Sequence, residues 1–235
     1  MSHLTFKQFL LENRLDKGIF KAIFLAGTPG SGKSYTISQL SSGSIAPRIV
    51  NTDKFIELRI KQKKEYDYST YTSPMTSTKK QLAHYLNGML PLFIDGTSSN
   101  INDLVMRAGV LEPIGYDIGM IFVNTSLETS ITRAEKRERK VDPDFIKQVY
   151  DLAADNKSYY QSKFDFFLDI NNDAGELTDE VILKAFKKTT SFFNSDVKNP
   201  IGKRTIKKLE ETKEKYLVPS IIGQSEINQK VEGWY

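Results

Sequence analysis

The chain has 235 residues, 39% of them hydrophobic, which suits one α/β domain with a sizeable core and appended ends. It has no cysteine, which excludes disulfides and thiolate metal sites. Its net charge of +4 permits an anionic substrate without by itself arguing for nucleic acid. No apolar run approaches the roughly 20 residues of a membrane span, and the N-terminus lacks the basic-then-apolar order of a secretory signal, so a cytoplasmic protein without a membrane partner is expected.

Residues 4–12 carry Phe6, Phe9 and Leu10 at helical spacing, ahead of an apolar run at 21–26 that reads as a strand. The octapeptide Gly27-Thr28-Pro29-Gly30-Ser31-Gly32-Lys33-Ser34 follows, and Tyr35-Thr36-Ile37 can open a helix after it. This is the G-x-x-x-x-G-K-S phosphate-binding loop in its strand–loop–helix context. Glycines let the backbone N–H groups point inward at phosphate oxygens. Lys33 adds a charge for the β- and γ-phosphates, and the Ser34 hydroxyl can ligate Mg²⁺. A nucleoside triphosphate such as ATP is the expected ligand, held by residues 27–35 with Tyr35 included.

Further strands are expected at 48–52, 92–94, 118–123 and 164–170, alternating with helices. The pattern predicts a three-layer parallel sheet of about five strands with helices on both faces and helical extensions at either end. The expected organisation is an N-terminal extension over 1–20, a nucleotide-binding domain over 21–195 and a C-terminal extension over 196–235. Thr125 and Glu128 form a possible capping box for the helix after the fourth strand, which should give way near Lys140. Asp142-Pro143 then reads as a cap and first turn, opening a helix that buries Phe145, Ile146, Val149, Leu152 and Ala153. A last core helix is expected over 178–192, with Val181, Ile182, Ala185 and Phe186 inward, and Asn199-Pro200-Ile201-Gly202 breaks before a solvated helix over 203–215.

In open α/β sheets, ligands sit beyond the carboxyl ends of the strands. The second strand ends there in Asn51-Thr52-Asp53 and the third in Asp95-Gly96-Thr97-Ser98. Phosphoryl transfer needs positioning, charge neutralisation and a group that takes the acceptor's proton. Asp53 is the candidate for that base, with a helix N-cap as its structural alternative. Asp95 either orients the acceptor beside Thr97 or holds Mg²⁺ through water, and Asp95-Gly96 also reads as a plain turn. In the run Arg133 to Lys140, Arg133 and Arg137 share a helical face and Arg139 falls at the break. Arg137 or Arg139 can swing over the triphosphate, while alternating Arg and Glu also suit a solvated helix. The long segment 54–90 interleaves Lys61, Lys63, Lys64, Lys79 and Lys80 with Tyr66, Tyr68 and Tyr71. That composition suits a single-stranded nucleic acid or a nucleotide, or else a solvated helix followed by a tyrosine-rich loop.

These pieces together resemble the phosphate-loop kinases that group polynucleotide 5′-hydroxyl kinases with zeta-toxin-like and related small kinases. The matching residues are Gly27–Ser34, Asn51-Thr52-Asp53-Lys54-Phe55, Phe93-Ile94-Asp95-Gly96-Thr97 and Arg133…Arg137-x-Arg139 before Asp142-Pro143. The resemblance implies that Lys33 and Asp53 are catalytic, with a lid arginine, Arg137 or Arg139, on the transferred phosphate. Polynucleotide kinases also place an arginine one turn after the base; Ile56 stands there, and Arg59 is the nearest substitute for holding the acceptor, alongside Arg133. The function so implied is ATP- and Mg²⁺-dependent transfer of the γ-phosphate to a hydroxyl of a nucleic acid, nucleotide or nucleotide-like acceptor. Alternatives are a small-molecule kinase acting on a nucleoside monophosphate or nucleotide sugar, and a non-catalytic ATP-binding module. Residues 4–12 also resemble the leader of head-packaged proteins of large tailed phages, which would place a phage-encoded protein in the host cytoplasm.

Overall fold

The structure is a computed structural model that describes residues 18–41, 46–63, 68–137, 140–173 and 177–217. The helix expected at 4–12 and the tail beyond 217 lie outside the described residues. Five parallel strands form one sheet: β1 (Lys21–Ala26), β2 (Arg48–Val50), β3 (Leu92–Ile94), β4 (Asp117–Asn124) and β5 (Phe166–Asn171), in the order β2-β3-β1-β4-β5. This is the expected α/β architecture. The sheet is a near-continuous hydrophobic layer because both its faces are covered.

Alternate residues of β1 feed two cores. Ala22, Phe24 and Ala26 face one side, with Leu104, Ala108 and Leu111 of α4 (Ile101–Leu111) and Ala153 and Tyr160 of α6 (Pro143–Lys163). Ile23 and Leu25 face the other, with Ile37 and Leu40 of α1 (Lys33–Leu40) and Ala185 and Phe193 of α7 (Asp179–Asn194). Each of these core strands and helices follows its expected period. Asp142 caps α6 by accepting from the Asp144 N–H at 3.0 Å, with Pro143 in the first turn. The buried stripe of α6 runs Ile146, Val149, Ala153 and Tyr160. Phe145 and Leu152, expected inside, each lie beside that stripe and are 48% and 40% exposed.

Three local expectations are corrected. The helix after β4, α5 (Leu127–Glu135), is capped by Ser126, which accepts from the Thr129 N–H at 3.2 Å. Thr125 instead donates to the Asp173 carboxylate beyond β5, a contact between residues distant in sequence. Second, α5 ends at Glu135, well before Lys140, because the charged residues that follow have no apolar side chain to bury and nothing offsets their ordering. Third, the segment expected as a helix and a loop forms two helices, α2 (Thr52–Lys63) and α3 (Tyr68–Asn87). Leu82, Tyr85 and Leu86 of α3 pack on the core, so tertiary burial outweighs the Ser/Thr-rich composition and Pro74 within the helix.

Beyond α7 the chain turns back to the sheet. Asn199 accepts from the Ile201 N–H at 2.9 Å, capping α8 (Pro200–Leu217), and donates to the Glu112 carbonyl at 2.9 Å. Gly202 meets Gly115 backbone to backbone: a Cβ on Gly202 would lie 2.3 Å from the Gly115 carbonyl oxygen. Among the described residues no helix is long and apolar enough to cross a membrane.

Candidate active site

The phosphate loop joins β1 to α1 and is held by three other segments. Gly30 and Gly32 have φ of 90° and 91°, where side chains are strained. A Cβ on Gly30 would lie 2.1 Å from the Ser130 carbonyl oxygen, and one on Gly32 would lie 2.0 Å from Asn172 Nδ2. Hydrogen bonds mark the same contacts. Thr28 and Ser130 share one at 2.7 Å, Asn172 donates to the Ser31 carbonyl at 2.6 Å, and Arg133 donates to the Asn172 carbonyl at 2.8 Å. On the far side the Gly27 N–H donates to the Thr97 carbonyl at 3.2 Å. Within this cradle Ser31 Oγ is buried without a protein partner. The loop ends at the N-terminus of α1, where orphan N–H groups and the helix dipole favour an anion.

Lys33, the first residue of α1, folds back over the loop. Its ammonium donates to the carbonyls of Gly27 at 2.8 Å and Thr28 at 2.9 Å. Burial pulls its pKa down to about 8, with Arg137 pushing the same way and Asp95 and Asp53 opposing. The same four groups act on Asp95. Burial raises its carboxyl pKa above the ordinary value, Asp53 adds to the rise, and Lys33 and Arg137 counter it. Residues from β1–α1, β2–α2, β3 and the end of α5 therefore share one electrostatic neighbourhood.

Asn51 joins the Asp95 carboxylate to the first turn of α2. Its Nδ2 donates to Asp95 Oδ2 at 2.7 Å, and its Oδ1 accepts from the Asp53 N–H at 2.7 Å and the Lys54 N–H at 3.3 Å. Asn51 is thus the cap of α2, and the cap alternative for Asp53 falls. Because Oδ1 is engaged by the helix, the amide must present Nδ2 to Asp95. Asp95 also has its N–H bonded to the Val50 carbonyl at 2.9 Å, so it is fixed by backbone and side chain alike. The loop after it is equally constrained: Ser98 adopts φ 51°, its hydroxyl donates to the Leu25 carbonyl at 2.8 Å, and its own carbonyl accepts from the Tyr160 hydroxyl.

The other expected residues separate by location. Thr97 bonds Ser99 through its hydroxyl at 3.1 Å, beside the loop. Arg133 stands against Asn172 and Gly32, on the nucleotide side. Arg137 lies past the last residue of α5 rather than on a common helical face with Arg133, yet its charge reaches Lys33 and Asp95. Tyr35 is exposed on α1. Ile56, standing where polynucleotide kinases carry an arginine, is 1% exposed and belongs to the interior. Arg59 opens into a cleft between α2 and α3. Arg139 lies outside the described residues. Ser34 and Asp95 are hard oxygen donors at this loop, and a desolvated carboxylate favours a cation; they fit Mg²⁺, which binds through one or two protein oxygens plus substrate phosphates.

Sequence reasoning passed over Asn51, Ser130 and Asn172 as site residues. The Asn51-x-Asp53 spacing at a strand end is an Asx-cap signal that could have been read. Ser130 and Asn172 meet the loop only through the fold.

A zeta toxin family model matches residues 13–166, more than half of the chain. A search of curated proteins found no match. Among solved structures, the chain is similar to a candidate kinase from Chloroflexus aurantiacus, with a TM-score of 0.57 and 13% identity over 74% of this chain and 98% of that one. A chain of the PezAT toxin–antitoxin system of Streptococcus pneumoniae gives 0.50 and 16%, over 80% and 97%. A chain of the Pnkp1/Rnl/Hen1 RNA repair complex gives 0.50 and 20%, over 64% and 48%. At these identities the likenesses establish a shared fold.

Proposed function

The chain belongs to the zeta toxin family, and we propose that it is an ATP- and Mg²⁺-dependent kinase that phosphorylates a hydroxyl of a nucleic acid, nucleotide or nucleotide-like acceptor. The observation that carries this reading is the convergence of Lys33, Asp95, Asp53 and Arg137 at one phosphate loop. Binding a nucleotide needs the loop and Lys33. A second carboxylate and an arginine facing the same point are what transfer adds.

In this mechanism the loop N–H groups and Lys33 hold the β- and γ-phosphates, with the Ser31 hydroxyl as a further donor. Asp53 accepts the proton of the acceptor hydroxyl as its oxygen bonds to the γ-phosphorus. The bond from that phosphorus to the β,γ-bridging oxygen breaks, and ADP leaves. Arg137 offsets the charge that spreads over the equatorial oxygens, and Arg139 stands two residues on. Asn51 holds the Asp95 carboxylate and the backbone of Asp53 in register. Ser34, with Asp95 through water, would hold Mg²⁺, which would supply charge neutralisation of the phosphates when bound.

The test is transfer of labelled γ-phosphate from ATP to a panel of RNA and DNA 5′-ends, modified DNA, nucleosides and nucleotide sugars. One acceptor class should be labelled, and the label should vanish with Lys33→Ala and Asp53→Asn. Tight ATP binding with no labelled acceptor in the panel would leave only a nucleotide-binding module.

A further inference from the structure

We propose that the cleft between α2 and α3 is a second anion site, separate from the phosphate loop, in which Arg59 takes the phosphate of a sugar or nucleoside phosphate. The cleft measures about 180 Å³. Its walls have two characters. Phe55 and Leu58 of α2 and Pro74 of α3 supply apolar surface, while Arg59, Ser73 and Ser77 supply polar groups. Among the described residues no Asp or Glu lines it.

Arg59 Nε is buried and has no hydrogen-bond partner. A buried donor left unpaired is unfavourable, and guanidinium N–H groups set as a fork match the oxygens of a phosphate. The described side chains of α2 and α3 favour an anion as well, with Lys54, Arg59, Lys61, Lys79 and Lys80 against Asp53 and Glu57. The cleft is smaller than the roughly 300–1,000 Å³ of drug-sized pockets, but a sugar ring on the apolar wall with its phosphate at Arg59 fits its scale.

The site is distinct from the one at Asp53. Arg59 lies six residues along α2, which is about 9 Å of axis and about 120° of rotation away. The phosphate it takes comes either from a remote part of the acceptor or from a separate ligand; the chemistry is the same, and the experiment separates the two. It goes beyond the kinase reading, since binding in this cleft requires no transfer.

The protein is first saturated with Mg²⁺ and a non-hydrolysable ATP analogue, which fills the phosphate loop, and is then titrated calorimetrically with ribose 5-phosphate and with ribose. Ribose 5-phosphate should bind and ribose should bind at least about tenfold more weakly. Arg59→Gln should weaken ribose 5-phosphate by about tenfold or more without changing the affinity for the ATP analogue. Ser77→Leu, which fills the cleft from the opposite wall, should do the same and guards against a folding artefact of the first variant. Equal binding to the unaltered protein and to both variants, or no binding at the ~10 mM level, overturns the site. In transfer assays, an Arg59→Gln effect on KM confined to phosphorylated acceptors, with ribose 5-phosphate competing, assigns the cleft to the acceptor. A change in transfer rate on adding ribose 5-phosphate, without competition, assigns it to a separate ligand.

Discussion

Lys21 and Lys33 stand at opposite ends of β1, and they are treated in opposite ways. Lys21 is 1% exposed and saturated: it meets Asp117 Oδ2 at 2.7 Å, the Ser195 hydroxyl at 3.0 Å and the Asp196 carbonyl at 3.1 Å. Asp117 in turn accepts from the N–H groups of Lys198 and Asn199, each at 2.7 Å. Lys33 has two carbonyls for company and, among the described residues, no carboxylate within hydrogen-bonding distance, and burial drags its pKa to about 8. The amino end of the sheet has completed its electrostatics. The carboxyl end gives the Lys33 ammonium two backbone carbonyls as its hydrogen-bond partners. A fully paired buried charge serves the fold, and a cation paired only with dipoles is available to a ligand.

Substituting the two lysines is the strongest way to break this contrast. Lys33→Ala should lower phosphate transfer at least about 10³-fold while leaving the melting temperature equal or higher, since it removes a desolvated charge. Lys21→Met should cost roughly 3–5 kcal/mol in denaturant unfolding, because the largely buried Asp117 carboxylate loses its counter-charge and keeps only two backbone N–H groups, while nucleotide affinity of the folded protein holds. A Lys21 variant that lost transfer at full stability would erase the distinction between the two ends.

Next in size, Asp53→Asn should lower kcat roughly 10²- to 10³-fold with ATP affinity within about twofold, as expected of a general base. Full transfer by that variant would remove Asp53 from the chemistry. Asn51 sharpens the division inside the site. Asn51→Ala should cost about 1 kcal/mol of stability for the lost helix cap and lower kcat by up to roughly 10²-fold as Asp95 shifts. Asn51→Asp restores the cap but faces Asp95 with a like charge, so stability should return without activity. Recovery of both together would make Asn51 a cap and nothing more.

The smallest effect is on pH. Below about 8 the Lys33 ammonium of the free protein is intact; above that value it deprotonates, and the phosphate loses its cation. Metal-free ADP affinity should therefore weaken as pH rises past about 8, by up to about tenfold per unit. Lys33→Arg, whose charge does not titrate, should give a flat profile through the same range. A wild-type profile that is flat would show that Lys33 keeps its proton in this setting.

Features specified by neighbouring residues were legible in the sequence. The glycine loop, the five strands and the Asp142-Pro143 helix start each depend on a few adjacent positions, and each stands where its pattern placed it, except that β2 ends at Val50 rather than at Thr52 and β5 starts at Phe166 rather than at Phe164. What was not legible depends on partners far along the chain. Thr125 looked like a cap because nothing nearby showed that Asp173 would claim its hydroxyl. The stretch around Pro74 looked like a loop because the core that holds Leu82 and Leu86 is built from other segments. In the site, Asp53, Asp95 and Lys33 could be placed from strand ends alone. The support that Ser130 and Asn172 give the loop could not, because it comes from β4 lying beside β1 and β5 beside β4.

The Gly115–Gly202 contact bears on where this chain can be cut. A boundary at residue 196 looks natural on paper, since a turn and a charged helix follow it. Ending the chain there would discard Val197, which is buried, and Asn199, whose amide satisfies the carbonyls of Glu112 and Tyr116. It would also leave Asp117 without the two N–H groups it accepts from. The first turn of α8 works as a buttress against the amino edge of the sheet, seated by two residues that lack side chains. Trimming from the C-terminus therefore has a floor beyond Gly202, and a shortened protein that ignores it would lose its footing at the end farthest from the phosphate loop.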